Sequence, residues 1–147
     1  MAVSLKKGRM NDPQDAVRWL VREARRLPNI PSGDFCNRIG YESHSAYISS
    51  PLWRATRERY LQAGMPTKCI ACKSVETCLH HVSYRNVGHE PLADLIPLCY
   101  DHHSELHQFL NLIRVPVELT AEALRVMFKW SWTQLHTAFH DYNTKLV

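Results

Sequence analysis

No stretch of this chain approaches the ~18 successive apolar residues that a membrane-spanning helix needs, and the basic N-terminus lacks the apolar core of a secretory signal. A cytoplasmic protein is the expectation. Internal repeats and low-complexity tracts are also missing, so only about the first ten residues read as a tail. Cysteine is scarce and odd in number, and five residues cannot all pair as disulfides. In a reducing compartment the spacing Cys69-Ile70-Ala71-Cys72 serves metal chelation better than a disulfide framework, and zinc is the first expectation.

A chain of 147 residues, 45% hydrophobic and 22% charged, suits one globular core with small additions. The formal charge is +4 with a pI near 8.9. The basic residues bunch in Lys6, Lys7, Arg9, Arg18, Arg22, Arg25 and Arg26, and again in Arg54, Arg57 and Arg59. Such bunching suits a polyanionic partner. A solvated, mildly basic surface has the same composition, so charge alone does not decide function.

Asp12-Pro13 reads as a helix start, and Val17, Leu20, Ala24 and Leu27 recur at helical spacing, which predicts a helix over about 13 to 27. Gly40 can turn between two short helices. The pattern favours a plain helical hairpin over a DNA-reading helix-turn-helix. Ser50-Pro51 starts a further helix that Gly64 ends; its aromatics suit packing and its arginines suit phosphates. Glu76 to Val82 and Leu95 to Leu98 can pair as strands around a turn at Gly88, and a helix follows from about Asp101 to Ile113. After Pro116, Thr120 is expected to cap a long C-terminal helix whose stripe of Leu124, Met127, Phe128, Trp132, Leu135 and Phe139 reads as core.

The histidines carry the chemistry. Residues four apart on a helix share a face, so His103 and His107 can bind one ion, whereas His102 points about 100° away. His102 instead joins Cys99 as a C-x-x-H pair. With Cys69 and Cys72 it makes a closed tetrahedral zinc site, for which Cys78 is the rival ligand. Such a site supplies folding free energy in a small domain. His80, from the preceding strand, is the third ligand for His103 and His107. Three neutral imidazoles suit zinc, nickel, cobalt or manganese better than magnesium. His81 alternates to the other side of the strand and is free to act as a base on water. His136 and His140 repeat the HxxxH spacing without further ligands and stay unassigned.

The ordered run Cys69-x-x-Cys72, Leu79-His80-His81 through Gly88-His89-Glu90, and Asp94-Leu95 through Leu98-Cys99-x-x-His102-His103-x-x-x-His107 resembles the HNH endonucleases with a ββα-metal core. Ser49 to Tyr60 is similar to the helix that often precedes that core. The resemblance spans roughly residues 45 to 110. It implies metal ligands His80, His103 and His107, general base His81, and Asp94 where the family often has asparagine, accepting a hydrogen bond that helps hold the base or its loop. His102 stands where the family usually has cysteine.

These readings predict an α+β, mostly helical chain. Residues 1–44 form a helical extension, 45–113 the ββα-metal core with its structural zinc, and 114–147 a C-terminal helix packed on it. The expected activity is metal-dependent hydrolysis of DNA phosphodiesters, leaving 5′-phosphate and 3′-hydroxyl ends as the resemblance implies. One divalent ion (Zn, Ni, Mn, Co or Mg) serves catalysis and one zinc serves structure. Arg54, Arg57 and Arg85 are the candidate DNA contacts, Arg85 being equally suited to packing. The expected partner is double-stranded DNA, and a homodimer through the C-terminal helix is one route to double-strand breaks. The alternative is a non-catalytic zinc-knuckle protein that binds nucleic acid or belongs to an assembly such as phage packaging machinery.

Overall fold

The computed structural model describes residues 13–146. The expected cap Asp12 and the basic residues Lys6, Lys7 and Arg9 lie outside them. Helix α1 (Pro13–Ala24) stops short of the expected Leu27. Its last residues tighten into turns, with Arg26 N donating to Glu23 O and Leu27 N to Ala24 O at 3.1 Å each. Pro28 disfavours helical geometry in the residue before it. Helices α2 (Ser32–Arg38) and α3 (His44–Ile48) flank a turn in which Gly40 has φ +93°. With five residues α3 is too short to serve as a recognition helix, and its Tyr47 is wholly buried. Helix α4 (Pro51–Gln62) begins as expected: Ser50 Oγ accepts from Trp53 N at 3.3 Å and Pro51 takes the first turn. Trp53, Thr56 and Tyr60, spaced three and four apart, bury one face, while Arg54, Arg57 and Arg59 stay exposed.

Strands β1 (Thr77–His81) and β2 (Leu95–Cys99) pair antiparallel, with Thr77 opposite Cys99 and His81 opposite Leu95. The loop between them is closed by Val82 N donating to Asp94 O at 2.8 Å. Helix α5 (Tyr100–Ile113) leaves β2 directly, with Cys99 as its N-cap, and packs across both strands. It ends at Arg114, which takes a left-handed conformation, φ 57°. The chain is therefore α+β, mostly helical, with a two-stranded antiparallel sheet.

The C-terminal region departs from expectation. In place of one long helix there are three: α6 (Thr120–Met127), α7 (Trp132–Ala138) and α8 (His140–Lys145). Lys129 adopts φ 54°, which no helix continues through. Ser131 and Gln134 then restart the chain with a reciprocal capping box. Thr120 is the first helical residue rather than the cap, and its hydroxyl donates to Val117 O at 2.5 Å. The stripe still packs inward: Leu124 is fully buried and Leu135 nearly so. Helix α6 lies against α5 and α1, and the Tyr142 hydroxyl donates to Leu95 O at 2.7 Å, pinning the start of β2 from α8. Among the described residues no helix is long and apolar enough to cross a membrane.

Candidate functional site

Two groups of side chains converge at the ends of the strand pair. The first is the knuckle. Lys73, with φ 65°, lets its N–H return to Cys69 O at 2.8 Å, and Ile70 N donates to Pro97 O at 3.1 Å, tying the turn to β2. Cys69 and Cys72 thereby face Cys99 and His102, and the four ligand atoms all lie within 4.8 Å of one another. Cys72 Sγ is 3.8 Å from Cys99 Sγ, and His102 Nδ1 lies 3.7 Å from Cys69 Sγ and 3.3 Å from Cys99 Sγ. A tetrahedral zinc with Zn–S near 2.3 Å and Zn–N near 2.0–2.1 Å separates its sulfurs by about 3.8 Å and sulfur from nitrogen by about 3.6 Å. The donor set and spacing fit such an ion. Burial alone would raise the Cys69 thiol, but N–H groups of Cys99, Cys72 and Ala71 and the His102 ring bring it down to about 7. Burial and the adjoining sulfurs push Cys99 up to about 11. Cys69 and Cys99 at this spacing ionise together only beside a cation.

Cys78, the rival ligand, is elsewhere. Its Sγ lies 3.1 Å from His103 Nδ1 and donates to Leu98 O at 3.4 Å. Cys36 is buried in the core.

The second group is His80, His103 and His107, whose ligand nitrogens also lie within 4.8 Å of one another. His80 is fully buried. Its Nδ1 has no hydrogen-bond partner, while its Nε2 is 2.9 Å from Thr120 Oγ1. His103 Nε2 and His107 Nε2 face each other at 3.0 Å across one turn of α5. Nitrogens around a tetrahedral ion at 2.0–2.1 Å stand about 3.4 Å apart. A ring with a buried, orphaned nitrogen, grouped with two rings whose Nε2 atoms converge, fits a divalent ion. Burial lowers all three imidazoles and repulsion from His81 adds to it in each, taking His103 to about 4 and His80 well below its ordinary value. They stand neutral at pH 7, as ligands must.

His81 points the other way, as strand alternation requires, into an aromatic cage. Its ring centroid is 4.8 Å from Trp53, 5.4 Å from Tyr84 and 5.7 Å from His44. Of the two roles left open for Asp94, holding the base or holding its loop, the hydrogen bonds fit the second. The carboxylate that meets His81 is Glu90, whose Oε2 is 2.7 Å from His81 Nε2. Asp94 accepts from Asn86 Nδ2 at 3.0 Å and so braces the loop rather than His81. Glu90 is fully buried and its oxygens are heavily engaged: Tyr47 Oη donates to Oε2 at 2.6 Å, and Gly88 N reaches Oε1 at 2.9 Å. Burial would raise its carboxyl, but the hydrogen bonds from His81 and Tyr47 hold it below the ordinary value. Gly88 has φ +93°, and a Cβ there would meet Ile39 Cδ1 at 3.1 Å, so only glycine turns its N–H onto this carboxylate without strain. Among the described residues no hydrogen bond engages His81 Nδ1.

A cleft of about 620 Å³ opens on the second group, with His103, His107, His44, Tyr84 and Arg85 in its wall. His81 is not in that wall, being only 3% exposed behind His44 and Tyr84. His44 went unremarked in the sequence, because its place follows from the fold of α3 and not from any spacing to the other histidines. Its Nε2 is buried without a partner, and burial together with His81 and His107 lowers the ring to about 4. Arg85 is exposed at the cleft, whereas Arg54 and Arg57 are exposed on α4 and do not line it. His136 and His140 are exposed.

No family model matches the chain, and neither a curated protein nor a solved structure matches it. The functional reading therefore stands on the residues and their geometry.

Proposed function

We propose that this chain is a metal-dependent DNA endonuclease of the HNH kind, with β1, β2 and α5 as its ββα-metal core. The observation that carries the reading is the convergence of His80, His103 and His107, one ring nitrogen from each within 4.8 Å of the others, beside a cleft lined by His103, His107 and Arg85. His80, His103 and His107 would hold a divalent ion, which would supply Lewis acidity to the phosphodiester. His81 acts as the base, taking a proton from water at Nδ1. Glu90, on Nε2, holds the ring and stabilises the imidazolium that forms. Arg85 neutralises a phosphate of the strand in the cleft. The separate Cys69, Cys72, Cys99 and His102 group holds zinc and clamps the knuckle to β2 and α5. One such site cuts one strand, so a double-strand break takes two copies or two successive events.

The burial of His81 favours a second reading, in which the chain is a zinc-knuckle nucleic-acid-binding or assembly protein whose histidine group only holds an ion. Supercoiled plasmid incubated with the protein and Mn²⁺, Ni²⁺, Co²⁺, Zn²⁺ or Mg²⁺ separates the two. The nuclease reading expects nicking that EDTA stops and that His81→Ala abolishes with metal content unchanged. Plasmid left intact under every ion, with DNA retained in a binding assay, supports the second reading.

A further inference from the structure

Thr120 occupies Nε2 of His80 and leaves its buried Nδ1 without a partner, while His103 faces His107 through Nε2, so the nitrogens left for a shared centre are Nδ1 in one ring and Nε2 in the other. A neutral imidazole has one proton and one lone pair, so each ring ligates only if its proton sits on the remote nitrogen. We propose that Thr120 and Cys78 are the positioning residues that set these two tautomers, leaving both lone pairs turned inward before an ion arrives. The inference rests on reading His80, His103 and His107 as a metal centre.

The hydrogen-bond accounting carries it. A hydroxyl has one proton to give, and Thr120 gives its own to Val117 O at 2.5 Å, an atom that can only accept. At 2.9 Å from His80 Nε2, the Thr120 oxygen can then only accept, which places the His80 proton on Nε2 and leaves Nδ1 bare. The buried, partnerless Nδ1 is the counterpart of that assignment. On the other ring the pattern repeats with sulfur. With its proton turned to Leu98 O at 3.4 Å, Cys78 Sγ, 3.1 Å from His103 Nδ1, is free to accept that ring's N–H, which leaves Nε2 bare. The two partners come from different parts of the chain. Cys78 lies on β1, two residues before His80, while Thr120 opens α6, beyond the segment Val115 to Glu118 that walls the cleft. The C-terminal helices are by this account part of the metal centre.

The bland reading of Thr120 is a hydroxyl bonded back to the carbonyl three residues earlier, of value to α6 alone. Metal affinity distinguishes the two. The chain is stripped, given one equivalent of Zn²⁺ for the cysteine group, and titrated with Co²⁺, read by visible d–d absorption. Cobalt held by imidazoles lacks the intense thiolate charge-transfer band that marks leakage into the cysteine site. Wild type is expected to take one Co²⁺. Thr120→Val and Cys78→Ala should each bind it about 10–100-fold more weakly, and Thr120→Ser, which keeps the hydroxyl, should stay close to wild type. Melting curves of the zinc-loaded variants establish that each is folded. Wild-type affinity in T120V, or equal weakening in T120S, overturns the role of Thr120, and wild-type affinity in C78A overturns that of Cys78. If wild type takes up no Co²⁺, the metal-centre reading itself fails and the inference falls with it.

Discussion

A carboxylate with no solvent exposure is costly unless its lone pairs are used, and Glu90 meets that condition with donors from three separate elements: Tyr47 on α3, Thr56 on α4 and His81 on β1. Replacing it distinguishes holding His81 from holding the loop. Glu90→Gln keeps the shape but can offer its NH₂ to His81 Nε2, which moves the ring proton to Nδ1. Plasmid nicking should fall about 10²–10⁴-fold with both metal sites filled, whereas Asp94→Asn should cost about 1 kcal/mol of stability and leave the rate within a few-fold. The reverse result would return the orienting role to Asp94. Glu90 also predicts an acid dependence. Its folded pKa is depressed, so its stabilisation is complete above the unfolded value of about 4.3 and is lost as pH falls through the folded value. The stability deficit of the glutamine variant in urea titrations should accordingly shrink towards pH 3. Which acidic residue of the loop turns inward was not legible in the sequence, because it depends on the positive φ of Gly88 and on Tyr47, far away in the chain. His44 is a second such case. It lines the cleft and shields His81, so His44→Ala should lower the nicking rate with metal content unchanged. A variant with wild-type turnover would make it packing alone.

At the scale of elements, legibility followed periodicity. Strand alternation separates His80 from His81, helical spacing brings His103 to His107, and the short C-x-x-C and C-x-x-H pairs meet as their chelating geometry requires. Each of these needs only a few consecutive residues. What escaped was tertiary: the break at Lys129 that turns one apolar stripe into separate helices, and the docking of α6 that sets Thr120 against His80. A hydrophobic pattern says which face is buried and not where the helix stops. The C-terminal helices also hold β2 in place through Tyr142. Tyr142→Phe removes the hydroxyl that Leu95 O accepts from, inside the core, and should cost about 1–3 kcal/mol in chemical denaturation. Leu124→Ala, at a fully buried position of α6, should cost about 2–5 kcal/mol. Equal, negligible effects would mean that these helices are accessories to the strand pair.

For the molecule as a whole, the sheet has only two strands, and a lone hairpin is at best marginally stable. Its support comes from α5 and from the C-terminal helices, and an ion held by the histidine group or by the cysteine group would add to it. Removing ions and adding protons therefore act on the same structure. His44 and His103 titrate near 4 in the folded chain and His80 well below its ordinary value, against about 6.5 when unfolded. Between those values the unfolded chain binds protons that the folded one refuses. The stability from burying neutral rings is thus complete above about pH 6.5 and is lost as pH falls towards 4. Protein stripped with a chelator should melt lower than loaded protein at pH 7, and its Tm should decline steadily across that window. Loaded protein should hold its Tm until protons displace the ions, because bound ions stabilise only the folded ligand sets. His44 is not a ligand, so His44→Gln should make the stripped protein's decline shallower without changing the loss on chelation. Calorimetric melts at about pH 7, 5.5 and 4, with and without chelator, read both slopes. A stripped protein whose Tm is flat across the window would mean that these rings are not held neutral by the fold.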